Sequence, residues 1–176
     1  DYKARLSYAL TRGKRVPQVL VIHTVESAWS VYAPGEERHA RFYSDAFDQV
    51  SRWLLEEHYD FDYGDESLLA KYGRVEDGKF CVGEAQYDLI ILPPAVTLRQ
   101  RTVDLLERWL GSERALIALK PIPRRIEGDA RNDPWEHLRD AIVVERDKND
   151  FTSALSSLLT PNVQILSPER FPVAPV

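Results

Sequence analysis

Three short apolar runs constrain this chain more than anything else in it: Val19-Leu20-Val21-Ile22, Leu89-Ile90-Ile91-Leu92 and Ala115-Leu116-Ile117-Ala118-Leu119. None alternates with polar residues, so none fits a strand with one face in water. Each reads instead as a strand covered on both faces, the setting of a parallel sheet between two layers of helices. The first run turns polar at once, into His23, Thr24, Glu26, Ser27 and Trp29. In open α/β sheets ligands sit in the loops that leave the carboxyl ends of such strands.

The intervening segments supply the helices. Tyr2 to Arg12 sets Tyr2, Leu6, Ala9 and Leu10 on one face and stops at Gly13, while Pro17 leads into the first strand. Residues 30–40 carry Pro, Gly and mixed charge and read as a loop. Arg41 to His58 repeats Phe42, Ala46, Val50, Trp53 and Leu54 at helical spacing, as a core-facing helix does. Tyr59 to Tyr63 alternates aromatic and acid, the pattern of a half-exposed edge strand. Glu66 to Tyr72 is a short helix closed by Gly73, and Glu76-Asp77-Gly78-Lys79 is a hairpin turn between two short strands.

Beyond it, Thr97 to Leu110 is a helix turning Val103, Leu106 and Leu110 inward, and Pro134 to Asp140 a shorter one. Ala141 to Glu145 is a strand, Asp150 to Leu159 a helix and Asn162 to Leu166 a last strand. This alternation predicts a flavodoxin-like, three-layer α/β/α fold. Its mainly parallel sheet has order 2-1-3-4-5, with a small β-hairpin insertion and a crevice between the first strand and the Leu89–Leu92 strand.

Composition narrows the class of partner. A net charge of −5 argues against nucleic acid, since phosphate binding needs a basic surface. No apolar run approaches a membrane span, and no charged-then-apolar leader is visible, so the expectation is a soluble, cytoplasmic protein without membrane contact. The single cysteine allows no internal disulfide. The chain contains no methionine, begins Asp-Tyr-Lys and ends in a proline-rich stretch. We therefore expect one domain over residues 1–167, cut from a longer protein, with a linker over 168–176.

A nucleophilic-cysteine enzyme on such a sheet needs its thiol on the sharp turn after the third buried strand. That turn reads Lys120-Pro121-Ile122-Pro123-Arg124. Cys81 lies in the hairpin arm between Phe80 and Val82, where packing is the expected role. The four histidines, His23, His39, His58 and His137, form no ligand pair, and no glycine-rich loop follows the first strand, so no metal, nucleotide or other cofactor is expected.

Glu26, Asp62, Asp65 and Glu66 offer carboxylates, but acids in loops and edge strands are usually solvated. Lys120, Arg124 and Arg125 leave the sheet together and read either as a solvated interdomain loop or as an anion-attracting patch. Trp29 and Tyr32 fall outside every amphipathic pattern. They either fold back over the Arg41–His58 helix or present flat faces to a sugar or a protein surface.

The order of these pieces resembles a known domain. ARLSYALTRGKRVPQVLVIHTVESAW is similar to the start of the glutaminase-like domain of large bacterial glycosidases, the family 42 β-galactosidases and α-L-rhamnosidase-type enzymes. FDYGDESLL, VEDGKFCVGEAQYDLIILPP and LKPIPRRIEGD continue the likeness, which runs from Ala4 to Asp129. Its most distinctive positions are His23, Glu26, Ser27 and Trp29, then Pro121, Pro123 and Gly128.

That resemblance implies a class I glutamine amidotransferase-like scaffold that has lost its nucleophile. The implied role is non-catalytic: packing on a catalytic (β/α)₈ barrel and other domains of the same chain, and helping homo-oligomer assembly. Carbohydrate hydrolysis would then belong to the barrel. The alternative is a module that binds a carbohydrate or small ligand at the crevice. Under either reading the ligand-binding or interdomain residues are His23, Glu26, Ser27, Trp29, Lys120, Arg124 and Arg125.

Overall fold

The computed structural model describes residues 1–13 and 15–166. The expected linker over 168–176 lies outside them, as does the side chain of Leu10. The elements, in order, begin with α1 (Tyr2–Leu10), β1 (Val19–His23), α2 (Val25–Ser30), α3 (Arg38–Glu56), β2 (Phe61–Asp65) and α4 (Glu66–Tyr72). Three short strands follow, β3 (Gly73–Glu76), β4 (Lys79–Val82) and β5 (Ala85–Tyr87), and then β6 (Leu89–Leu92). The remainder comprises β7 (Thr97–Leu98), α5 (Gln100–Gly111), β8 (Leu116–Leu119), β9 (Arg125–Ile126), a 3₁₀ turn (Pro134–Glu136), β10 (Ile142–Val144) and α6 (Lys148–Leu158).

The central sheet is five-stranded in the order β10-β8-β6-β1-β2, and every pairing in it is parallel. Numbered along the chain, its strands run 2-1-3-4-5, as the alternation of runs and helices predicts. The apolar runs explain why. Within β1, successive side chains point to opposite faces, so a strand that is apolar throughout must be covered twice. Leu20 and Ile22 join one core with Ile90, Leu92, Leu106 and Trp109. Val19 and Val21 join the other with Ile91, Trp53, Leu54 and Phe151. Hence α5 covers one face and α3 with α6 the other, each fully buried aliphatic side chain contributing roughly 1.5–3 kcal/mol.

The hairpin at Asp77-Gly78 forms with both residues at positive φ (49° and 67°), the backbone that a two-residue turn between twisted strands requires. The insertion is larger than the two expected arms. β5 adds a third antiparallel strand, and Phe80 and Tyr87 from this small sheet are buried in the α5-side core. Cys81 is buried within it, in keeping with the packing role expected of it.

Four expectations about elements are corrected. Residues 25–30 form a single helical turn rather than a loop, because Ser27 and its neighbours close on Thr24 and on the far side of the crevice. Thr97 and Leu98 do not belong to a helix; they pair in parallel with Arg125 and Ile126, so α5 starts only at Gln100. Pro134 to Asp140 keeps only the 3₁₀ turn at Pro134–Glu136. Residues 162–165 form no strand, since the Asn162 amide donates to Gln18 Oε1 at 3.1 Å and draws the chain beneath the amino end of β1. Every residue from Tyr2 to Ala9 is exposed, so the face carrying Tyr2 and Leu6 is not covered here. Among the described residues no helix is long and apolar enough to cross a membrane.

Candidate functional site

The crevice at the carboxyl ends of β1 and β6 is bridged rather than open. Thr24 Oγ1 donates to Pro94 O at 3.3 Å. Ser27, 0% exposed, donates through Oγ to Thr97 O at 3.1 Å and accepts from the amides of Val96 and Thr97 at 3.0 and 3.2 Å. A hydroxyl has one proton and two lone pairs. All of them are used, so Ser27 fixes α2 against the loop after β6 and has nothing left for a ligand.

With Ser27 facing inward, its neighbours on α2 face out. Glu26 pairs with Arg99, whose Nε donates to Glu26 Oε1 at 2.8 Å and whose Nη2 reaches the same oxygen. The Arg99 amide donates to Glu66 Oε2 at 2.8 Å, so Glu66 caps the start of α5 from another helix. Glu66 is only 3% exposed, against the expectation of a solvated acid. Burial pushes its carboxyl above the usual range and the charge of Glu26 adds to this, while the Arg99 amide, the Thr102 hydroxyl and the Arg99 guanidinium pull the other way.

His23, the last residue of β1, is in register with Asp65 on β2 and lies against Phe47, ring centroids 4.8 Å apart. It lines a cleft of about 90 Å³ with Thr24, Val25, Ala28, Tyr43 and Phe47. Ligand pockets usually span about 300–1,000 Å³, so this cleft is a small one. Burial acts to raise Asp65, but the amides of Leu68 and Ser67 and the Ser67 hydroxyl outweigh it and hold the carboxylate below its ordinary value. Asp65 thus serves as the N-cap of α4.

A broader groove of about 560 Å³ opens on the other side of α2, lined by Glu26, Trp29, Ser30, Thr97, Arg99, Glu127 and Gly128. Its far wall is the turn after β9. Glu127 and Gly128 both have positive φ, 51° and 80°. The turn is tied to β7 by Glu127 N donating to Leu98 O at 2.9 Å and Gly128 N donating to Thr97 Oγ1 at 2.9 Å. Trp29 stands at the rim, 69% exposed. It does not fold back as a core residue.

Of the residues singled out in the sequence, Glu26, Ser27 and Trp29 are gathered with the β7–β9 pair, which brings the backbone of Arg125 beside Thr97. His23 opens into the separate small cleft. Lys120 pairs with Glu145, and Arg124 with Asp133 at 2.8 Å, so each of these two cations has an acidic partner nearby. Arg99 and Glu127 carry no signal in the sequence reading, Glu66 enters it only as a solvated acid, and Gly128 only through the family likeness. Topology held the signal for two of them: Glu66 directly follows β2, and Arg99 directly precedes α5, both at the carboxyl edge of the sheet. Among the described residues no group of three or more His, Cys, Asp or Glu could hold a metal ion.

No family model matches the chain, and no curated protein matches it in sequence. Among solved structures, the chain is similar to the apo form of a GH42 exo-carrageenase from Bacteroides ovatus, with a TM-score of 0.54 and 11% identity. The alignment covers 86% of this chain and 19% of that one, so this chain spans about a fifth of the length of the protein it resembles. At that identity the likeness concerns the fold.

Proposed function

We propose that this chain is a non-catalytic accessory domain of a multidomain glycoside hydrolase, an amidotransferase-like scaffold that supports carbohydrate hydrolysis by a neighbouring barrel. The observation that carries the reading is the turn after β8. On this scaffold a nucleophile would stand there, and the turn instead carries Lys120, in an ion pair with Glu145, followed by Pro121. Cys81, the chain's single thiol, is buried in β4 on the small antiparallel sheet.

The likeness to a fifth of a GH42 exo-carrageenase supports the multidomain context. The exposed face of α1, with Tyr2 and Leu6 at 77% and 44% exposure, is the surface we assign to contact with the rest of the parent enzyme or with its second copy.

The test compares the isolated chain with the enzyme that contains it. The isolated chain should turn over neither glutamine nor chromogenic glycosides. Substituting Tyr2 and Leu6 by Ser in the full enzyme should lower its thermal midpoint or its assembled mass while leaving the chain's own fold unchanged. Turnover by the isolated chain would overturn the reading.

A further inference from the structure

We propose that the groove between Trp29 and the Glu127–Gly128 turn is a binding site for a neutral saccharide. A sugar ring presents a C–H face, which packs on an aromatic plane, and a rim of hydroxyls, which both donate and accept. Trp29 supplies the plane. It is 69% exposed on a helix whose underside is pinned by the three hydrogen bonds of Ser27, so the backbone that carries the indole is fixed. The Glu26–Arg99 pair supplies the polar rim. Both guanidinium bonds fall on Glu26 Oε1, which leaves Oε2 as an acceptor for a hydroxyl. Arg99 is itself fixed through its amide by Glu66.

The opposite wall completes the site. A Cβ added at Gly128 would meet no atom within 4 Å, so the backbone there borders open space. Glu127 stands beside it on the same wall.

Charge decides which saccharide. Glu26 and Glu127 against Arg99 leave the groove with one net negative charge, on a chain whose total is −5. A sulfated or carboxylated ligand would meet repulsion, whereas a neutral one loses nothing. The volume of about 560 Å³ lies within the usual range for ligand sites of about 300–1,000 Å³.

The experiment is a tryptophan-fluorescence and calorimetric titration of the whole chain with neutral tetrasaccharides of galactose and of glucose, and with a sulfated galactan tetrasaccharide. The expected result is saturable binding of a neutral probe, the same at low and high salt, and at least about tenfold weaker in Trp29→Ala and in Glu26→Gln. Tighter binding of the sulfated probe, silence with all three probes, or binding that survives Trp29→Ala unchanged would each overturn the proposal. Glu26→Gln keeps the side-chain shape, so a loss there with the unfolding midpoint unchanged reports on binding rather than folding. Failure of this site leaves the accessory role standing, because that rests on the turn after β8 and is tested by hydrolysis.

Discussion

The hydroxyl of Ser27 donates to the carbonyl of Thr97 at 3.1 Å and accepts from the amide of the same residue at 3.2 Å. This two-way bond crosses the point where the sheet changes direction, and it joins the loop after β1 to the loop after β6. Replacing Ser27 by Ala would leave the amides of Val96 and Thr97 without this acceptor in a buried setting. An unsatisfied buried polar group costs about 1–3 kcal/mol. We expect Ser27→Ala to lower unfolding free energy by at least about 2 kcal/mol, measured by urea denaturation. A loss within error of zero would mean that water replaces the hydroxyl freely.

Glu66 predicts a pH dependence of opposite sign to that of most carboxylates. Its proton is held more tightly in the folded chain than in the unfolded one, first because of burial. The stability it contributes is therefore fully present below its unfolded value and declines as pH rises through its folded value. Glu66→Gln removes that decline and keeps an acceptor for the Arg99 amide. Unfolding curves of both proteins should show the variant gaining on the parent as pH rises above the ordinary glutamate range. A difference that stays constant across that rise would contradict the assignment.

Much of the fold was legible because the chain repeats one instruction. β1, β6 and β8 are apolar on both faces, and only a sheet sandwiched between helices satisfies that. What escaped the sequence was decided by contacts distant along the chain. Thr97 and Leu98 carry no strand signal of their own and pair only because Arg125 and Ile126 return beside them. Residues 162–165 look like a strand but are drawn aside by the Gln18 side chain. In the site, Glu26 and Trp29 were visible as polar and aromatic residues after a buried strand. Arg99 was hidden inside an expected helix, and the burial of Glu66 could not be read from an acid near an edge strand.

Gly73 joins α4 to β3 with no intervening loop, and its need for glycine is steric rather than conformational. Its backbone is ordinary extended chain, φ −75° and ψ 135°. A Cβ there would lie 2.4 Å from the Leu69 carbonyl oxygen and 2.9 Å from Leu105 Cδ1. At Gly64 the same addition meets the Leu20 side chain at 3.2 Å, which a small rotation relieves. Gly73→Ala should thus cost about 3 kcal/mol or more, beyond ordinary overpacking of about 1–3 kcal/mol, and Gly64→Ala clearly less. Equal losses in chemical denaturation would show that the α4–β3 junction shifts without strain.

Trp29 and Trp109 make the sharpest internal contrast. Trp109 is 0% exposed, donates from Nε1 to Ala115 O at 2.8 Å and meets Phe80 edge-on with ring centroids 6.0 Å apart. Truncating it removes a large buried surface and orphans a buried carbonyl, so Trp109→Ala should cost roughly 3–5 kcal/mol. Trp29 is 69% exposed, and Trp29→Ala should stay within about 0.5 kcal/mol of the parent, as surface substitutions do. Emission separates the two as well. Loss of Trp29 should remove a red-shifted, readily quenched component, and loss of Trp109 a blue-shifted, protected one. If Trp29→Ala instead destabilised the chain as Trp109→Ala does, the indole would belong to the core and could not be a platform for a ligand.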